Sequence, residues 1–192
     1  MEKKKLILAS ASPRRREILE SADLEFSVIS PECEEVKGGM APADLTVENS
    51  KRKAAAALEM AEGVIICADT VVSLDGNILG KPRDIEDAKA MIRSLSGRDH
   101  SVITGYTVTD GVTTVSGYVE TAVTMRHIFE DEIQAYVDRK MPLDKAGAYG
   151  IQEAAGMFVS EIKGDYYNVV GLPLCEIAKI PRESFGIFAF MK

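Results

Sequence analysis

The 192 residues carry 30 acidic against 23 basic side chains, for a formal charge of −7 and a pI near 5.0. That balance argues against a general nucleic-acid or anionic-membrane surface, which needs an excess of positive charge, so any anion site must be a local basic pocket on an acidic body. The length suits one domain with a proper core, spanning 1–192, with room for two lobes around a cleft.

The apolar run Leu6–Ala9 stops at Ser10, and Ser12-Pro13 reads as an N-cap with Pro at the first helical position. A strand over 6–9 therefore feeds a helix over 13–22, and residues 26–30 form a second short strand. Residues 30–44 are loop-like, with Pro, Gly and paired acids. A helix follows from Leu45 to Ala61. It places Val47, Ser50, Ala54, Ala57, Leu58 and Ala61 on one face and is stopped by Gly63. Residues 64–74 are extended and apolar, ended by the turn signal Asp75-Gly76. A capped amphipathic helix spans 84–97. Residues 100–126 read as two long strands joined at Asp110-Gly111. A short helix covers 130–140, and the Gly-punctuated run 144–156 has room only for single turns. Residues 157–171 look like a hairpin and loop, and 172–180 a last helix. The apolar tail 185–192 is open between core, interface and disorder.

This order predicts an α/β fold, with a mixed twisted sheet, flanking helices and a central cleft. Cys33, Cys67 and Cys175 are scattered, and His100 and His127 lie far apart, so no zinc site is readable. Unpaired cysteines, with no signal-peptide or membrane-length apolar run, point to a cytoplasmic protein with no membrane partner.

Three arginines, Arg14, Arg15 and Arg16, crowd the first turn of the first helix, where the helix dipole is already positive. That makes sense if a phosphate chain sits there, since Arg matches phosphate oxygens two at a time. The plainer alternative is a solvated basic turn paired with Glu17 and Glu20, and it is preferred for Arg16. Asp69 ends an apolar strand, at the edge where α/β proteins place ligands. Lys81 is held in the rigid turn Gly80-Lys81-Pro82, which begins eleven residues after Asp69. A carboxylate and a lysine beside a phosphate make a hydrolytic site. Lys53 lies on the border of its helix's apolar face, either snorkelling or pointing its amine into a cleft. Glu34-Glu35 read as solvated loop acids or as oxygen ligands of the kind Mg²⁺ takes. Gln152 has the donor and acceptor to read a base edge.

The blocks "LILASASPRRREIL", the acidic pair at 34–35, "KRKA" around Lys53, "ADTVV", "LGKPRD", "LSGRDHSVITG", "ETAVTMR", "DKAGAYGIQ" and "GDYYNVVGLPL" follow one another in an order and spacing that resemble the Maf family of nucleoside triphosphate pyrophosphatases, within the ITPase-like group. The resemblance covers nearly the whole chain. It implies cleavage of a nucleoside triphosphate to the monophosphate and pyrophosphate by a cytoplasmic homodimer that needs a divalent cation (Mg²⁺, Mn²⁺ or Co²⁺). Arg14, Thr70 and Gln152 match the branch that prefers dTTP and UTP. By the same resemblance Ser10, Arg15, Lys53 and Lys81 bind phosphate, Glu35 and Asp69 hold metal, and Asp69 is the general base. Departures are Glu-Glu at 34–35 for the commoner Asp-Glu, Met125 for Phe, the absent Gly-Glu before Pro142, and Asn49-Ser50 for Leu-Ala. The last three read as packing or loop variation. The alternatives are a pyrophosphatase for other non-canonical nucleotides and a nucleotide-binding regulator of cell division and septum formation.

Overall fold

The computed structural model describes residues 5–139 and 143–187. Its strands are β1 (Leu6–Ala9), β2 (Phe26–Ile29), β3 (Val64–Leu74), β4 (Asn77–Leu79), β5 (Asp99–Thr109), β6 (Thr114–Met125) and β7 (Val159–Lys163). The helices are α1 (Pro13–Ser21), α2 (Pro42–Leu58), α3 (Ile85–Leu95), α4 (Glu130–Asp138), α5 (Tyr166–Val170) and α6 (Leu174–Phe185). One mixed sheet runs β2-β1-β3-β5-β6-β7, with β4 on β3. Strand β1 is parallel to both its neighbours, and the remaining pairs are antiparallel.

Alternation along the strands sorts the core. Ile7 and Ala9 of β1 join Ile65 and Cys67 of β3 beneath α2, against Ala54 and Ala57. Leu6, Leu8, Ile66 and Ala68 face the other way, onto Ile18 and Leu19 of α1, Val170 of α5 and Ile177 of α6. Further along that second face, Val72 and Val102 join Ala88, Ile92 and Leu95 of α3 and Ile133 and Val137 of α4. Ile151 packs against both clusters of this face.

The register of β3 opens the sheet. Val64–Ile66 pair with Leu6–Leu8 of β1, and Val72–Leu74 pair with β4. Residues 67–71 between them are held on the opposite edge by β5, with Asp69 opposite Gly105. Among the described residues no strand fills the near edge, so the sheet has a notch there, between the end of β1 and β4. The hairpin turn that folds β4 back has positive φ at both Asp75 (51°) and Gly76 (79°), the geometry that Asp-Gly favours.

Four local expectations need correction. Helix α2 begins at Pro42 and ends at Leu58, and Leu58 is exposed; the buried stripe runs through Leu45, Thr46, Asn49, Ser50, Ala54 and Ala57. An apolar count cannot find a stripe that is half polar. Gly63 serves the neighbouring strand rather than the helix, because a Cβ there would lie 2.7 Å from the Lys5 carbonyl oxygen. Residues 157–171 form no hairpin: β7 pairs with β6, and Asp165 then caps α5 by accepting from the Tyr167 and Asn168 amides at 2.8 and 3.2 Å. Finally, α6 runs on to Phe185 through Pro181, and Phe185 and Ile187 pack on the core, so the tail begins as core. The rest of the tail, 188–192, lies outside the described residues.

Candidate active site

Ser12 occupies the N-cap position of α1 but makes no side-chain capping bond, and Pro13 follows at the first turn. The expected Ser12 cap is absent; at this strand-to-helix corner the Ser12 amide donates back to Ser10 Oγ at 3.2 Å. From that corner the three arginines diverge. Arg16 pairs with Glu20 at 2.6 Å on the solvent side. Arg15 turns inward, and its guanidinium donates from Nε to the Gly171 carbonyl (2.7 Å), from Nη1 to Ser10 Oγ (3.3 Å) and from Nη2 to Thr70 Oγ1 (3.0 Å). These partners are all neutral oxygens. Burial pushes the Arg15 guanidinium below its ordinary value, and the Asp69 charge pulls it back. Thr70 Oγ1 also meets Thr104 Oγ1 at 2.9 Å, so its hydroxyl supports Arg15.

A second group forms on the α2 face of the sheet. Gly105 lies opposite Asp69, and a Cβ there would fall 2.3 Å from the Thr46 carbonyl carbon and 2.4 Å from the Val47 nitrogen. The bare glycine therefore lets the α2 backbone press onto β5, and the next turns of α2 carry Asn49 and Lys53 to Asp69. Lys53 Nζ lies 2.8 Å from Asp69 Oδ1 and 2.8 Å from Glu35 Oε1. Asn49 Nδ2 donates to Asp69 Oδ2 at 3.0 Å. The border position of Lys53 thus aims its amine into the cleft. Asn49, a departure that reads in sequence as packing variation, touches the candidate base itself.

Asp69 and Thr70 are successive residues and face opposite sides of the sheet. Both reach the same space because the sheet is notched there. The resulting cleft, about 950 Å³, is lined by Ser10, Arg14, Arg15, Glu35, Lys53, Asp69, Thr70, Lys81 and Gln152, whereas Arg16 and Glu34 lie outside it. Lys81 and Gln152 are exposed at its mouth. Arg14 bonds Asp144 at 3.2 Å, and Asp144 in turn meets Lys145 Nζ at 2.6 Å. Lys145, only 6% exposed, also reaches Glu153 at 3.1 Å. Asn49, Asp144 and Lys145 were missed by sequence reasoning. The one signal for the last two was the density of the 144–152 run. Six Lys and Arg against three Asp and Glu line the cleft, an excess of three positive charges on a chain of net −7. It is a local basic pocket sized for a nucleotide.

Glu35 and Asp69 offer hard carboxylate oxygens on either side of one ammonium. Among the described residues no third acid, His or Cys completes a protein cage around them. That donor set fits Mg²⁺ or a similar ion, which takes one or two carboxylates and completes its shell with substrate phosphates.

Behind the cleft wall, His100 Nε2 meets the Tyr149 hydroxyl at 2.7 Å, and burial lowers the His100 pKa from 6.5 to about 4. The fold thus favours neutral His100, whereas the unfolded chain takes up a proton below pH 6.5. Stability should therefore fall as pH drops from about 6.5 to 4, by roughly 3 kcal/mol at most from this group. Urea unfolding at pH 7 and pH 4.5 checks it. His100→Gln, which cannot charge, should lose less stability on acidification than the native protein, and an equal loss would remove His100 as the cause.

The chain matches the family described as Maf-like protein over residues 5–183. It is 47% identical to a dTTP/UTP pyrophosphatase of Bacillus cytotoxicus, over 94% of both chains. It is 46% identical to a dTTP/UTP pyrophosphatase of Thermococcus onnurineus, over 95% of this chain and 99% of that one. Among solved structures, the Ham1 protein of Staphylococcus aureus aligns with 64% of this chain and 72% of its own, at 15% identity and a TM-score of 0.46. No helix among the described residues is long and apolar enough to cross a membrane.

Proposed function

The chain belongs to the Maf-like family, and from that membership we propose that it hydrolyses dTTP and UTP to the nucleoside monophosphate and pyrophosphate. The observation that carries the reading is the notch itself. It brings a guanidinium satisfied only by neutral oxygens and a carboxylate–ammonium–carboxylate group into one basic cleft.

The triphosphate lies along the start of α1. Arg15 keeps two N–H donors beyond the three already used, and these, with Lys53 and Lys81, take phosphate oxygens. Asp69 accepts the proton of a water whose oxygen bonds the α-phosphorus, while the bond from that phosphorus to the bridging oxygen breaks and pyrophosphate leaves. Lys53 and Asn49 hold one oxygen of Asp69 each, which fixes the carboxylate plane. Glu35 and Asp69 would hold the divalent cation, which when bound neutralises phosphate charge. Gln152, exposed at the mouth of the same cleft, presents an amide to the base, and a pyrimidine's O4 acceptor and N3–H donor complement it. The reading extends to a cytoplasmic homodimer with no nucleic-acid partner; the resemblance supports the first two, and the charge of −7 supports the last.

A panel of nucleoside triphosphates, with phosphate products resolved, tests it. Turnover of dTTP and UTP to monophosphate and pyrophosphate is expected; turnover confined to purine or modified nucleotides would overturn the substrate assignment. Gln152→Glu should lower kcat/KM for dTTP and UTP by roughly ten- to a hundredfold, because a carboxylate opposes O4 with an acceptor. GTP, with two donors on that edge, should suffer less or gain. An unchanged dTTP-to-GTP ratio would remove Gln152 from base reading.

A further inference from the structure

Asn49 is 2% exposed, and its side-chain amide is engaged on three sides. Oδ1 accepts from the Val36 amide at 2.8 Å, while Nδ2 donates to the Val36 carbonyl at 3.0 Å and to Asp69 Oδ2 at 3.0 Å. Turning the amide over would set its oxygen against both of those acceptors, so the network admits one orientation. Val36 lies in the loop between β2 and α2, next to Glu35, which is exposed and lies in no helix or strand.

We propose that Asn49 is a positioning residue for the hydrolysis: it pins the Glu35–Val36 loop to the Asp69 carboxylate and so fixes the relation of the two acids across the cleft. Lys53 spans the same two acids, but its amine ends a flexible stem and is among the cations that meet the incoming triphosphate. When Lys53 turns to phosphate, the buried amide remains as the link. This inference rests on the reading of Asp69 and Glu35 given above.

Asn49→Leu removes all three bonds. Asn49→Asp keeps the size and the acceptor for the Val36 amide, but it sets a carboxylate oxygen against both the Val36 carbonyl and Asp69 Oδ2. A residue that only clipped the loop would lower the melting temperature in both variants without a matching loss of kcat, so kcat read against melting separates the roles. With dTTP and saturating Mg²⁺, kcat should fall roughly tenfold in Asn49→Leu and roughly a hundredfold in Asn49→Asp, with KM within about threefold of native. Mn²⁺ titration followed by electron paramagnetic resonance, which needs no turnover, should show weaker binding to Asn49→Leu once Glu35 is released. Thermal melting confirms that each variant is folded. A kcat for Asn49→Leu within twofold of native, or Asn49→Asp no worse than Asn49→Leu, would overturn the proposal. Asp69→Asn run beside them separates the two levels. If it is inactive while both Asn49 variants turn over normally, this inference alone fails; if it retains native kcat, the reading of Asp69 fails as well.

Discussion

Asp69→Asn is expected to leave a folded protein whose kcat is at least about a hundredfold lower, the scale on which a positioned general base contributes. The change is nearly isosteric, so the packing of β3 between β1 and β5 is untouched. The chemistry is not. Asp69 accepts from two donors at once, Lys53 on Oδ1 at 2.8 Å and Asn49 on Oδ2 at 3.0 Å. An asparagine can present an oxygen to one of them and must turn an NH₂ toward the other, so one side of the group opens. It also has no basic oxygen for a water proton and no charge for a cation. KM for dTTP should change far less than kcat, because Arg15, Lys53 and Lys81 all keep their charge for the phosphates. Steady-state kinetics on variant protein with native-like melting checks this, and a kcat near native would exclude Asp69 both as base and as essential ligand.

What could be read from the chain in advance was what local chemistry specifies. The Ser-Pro corner, the Asp-Gly turn and the period of α3 each announce themselves within a few residues, and the corresponding elements stand close to where they were expected. The crowding of arginines into one turn was also legible, because charge placed against a helix dipole calls for a reason. The fate of Arg16, paired with Glu20 one turn on, was legible with it. That of Arg15 was not, because its Gly171 partner is 156 residues away. Nor was the notch, which exists because β1 and β4 stop short of one another along β3, a matter of register between distant segments. Asn49 was hidden for the opposite reason. On a helix, an apolar count treats a buried amide as a flaw in the stripe, when here it is the part of the stripe that faces the site.

The notch also explains how one short strand segment serves two networks. In an unbroken sheet, Asp69 and Thr70 would lie on opposite faces with the sheet between them. With the near edge of 67–71 unpaired, the α2 group around Asp69 and the Arg15 group around Thr70 share one opening. The dependence of Arg15 on the Asp69 charge is the electrostatic sign of that meeting.

Arg15→Lys should lower kcat/KM for dTTP by at least about a hundredfold, although it keeps the charge. The guanidinium spends Nε on the Gly171 carbonyl and one N–H each of Nη1 and Nη2 on Ser10 and Thr70, which leaves two N–H groups in a fixed plane for phosphate oxygens. An ammonium has three donors in all and no plane. It cannot reach the carbonyl after α5, the end of β1 and the middle of β3 together, and whatever it offers phosphate comes from a different point. Each charged hydrogen bond lost is worth about 1.5–3 kcal/mol, so losing two gives the stated factor even after the lysine recovers part of the charge. Inhibition by pyrophosphate supplies the readout closest to the cause: its Ki should weaken at least about tenfold, while inhibition by thymidine, which has no phosphate, should hold. Because Arg15 also ties three segments together, the comparison is made at a temperature where circular dichroism shows the variant folded. A folded Arg15→Lys protein with native pyrophosphate inhibition would mean that Arg15 only braces the corner, and that the phosphate chain lies against Lys53 and Lys81 instead.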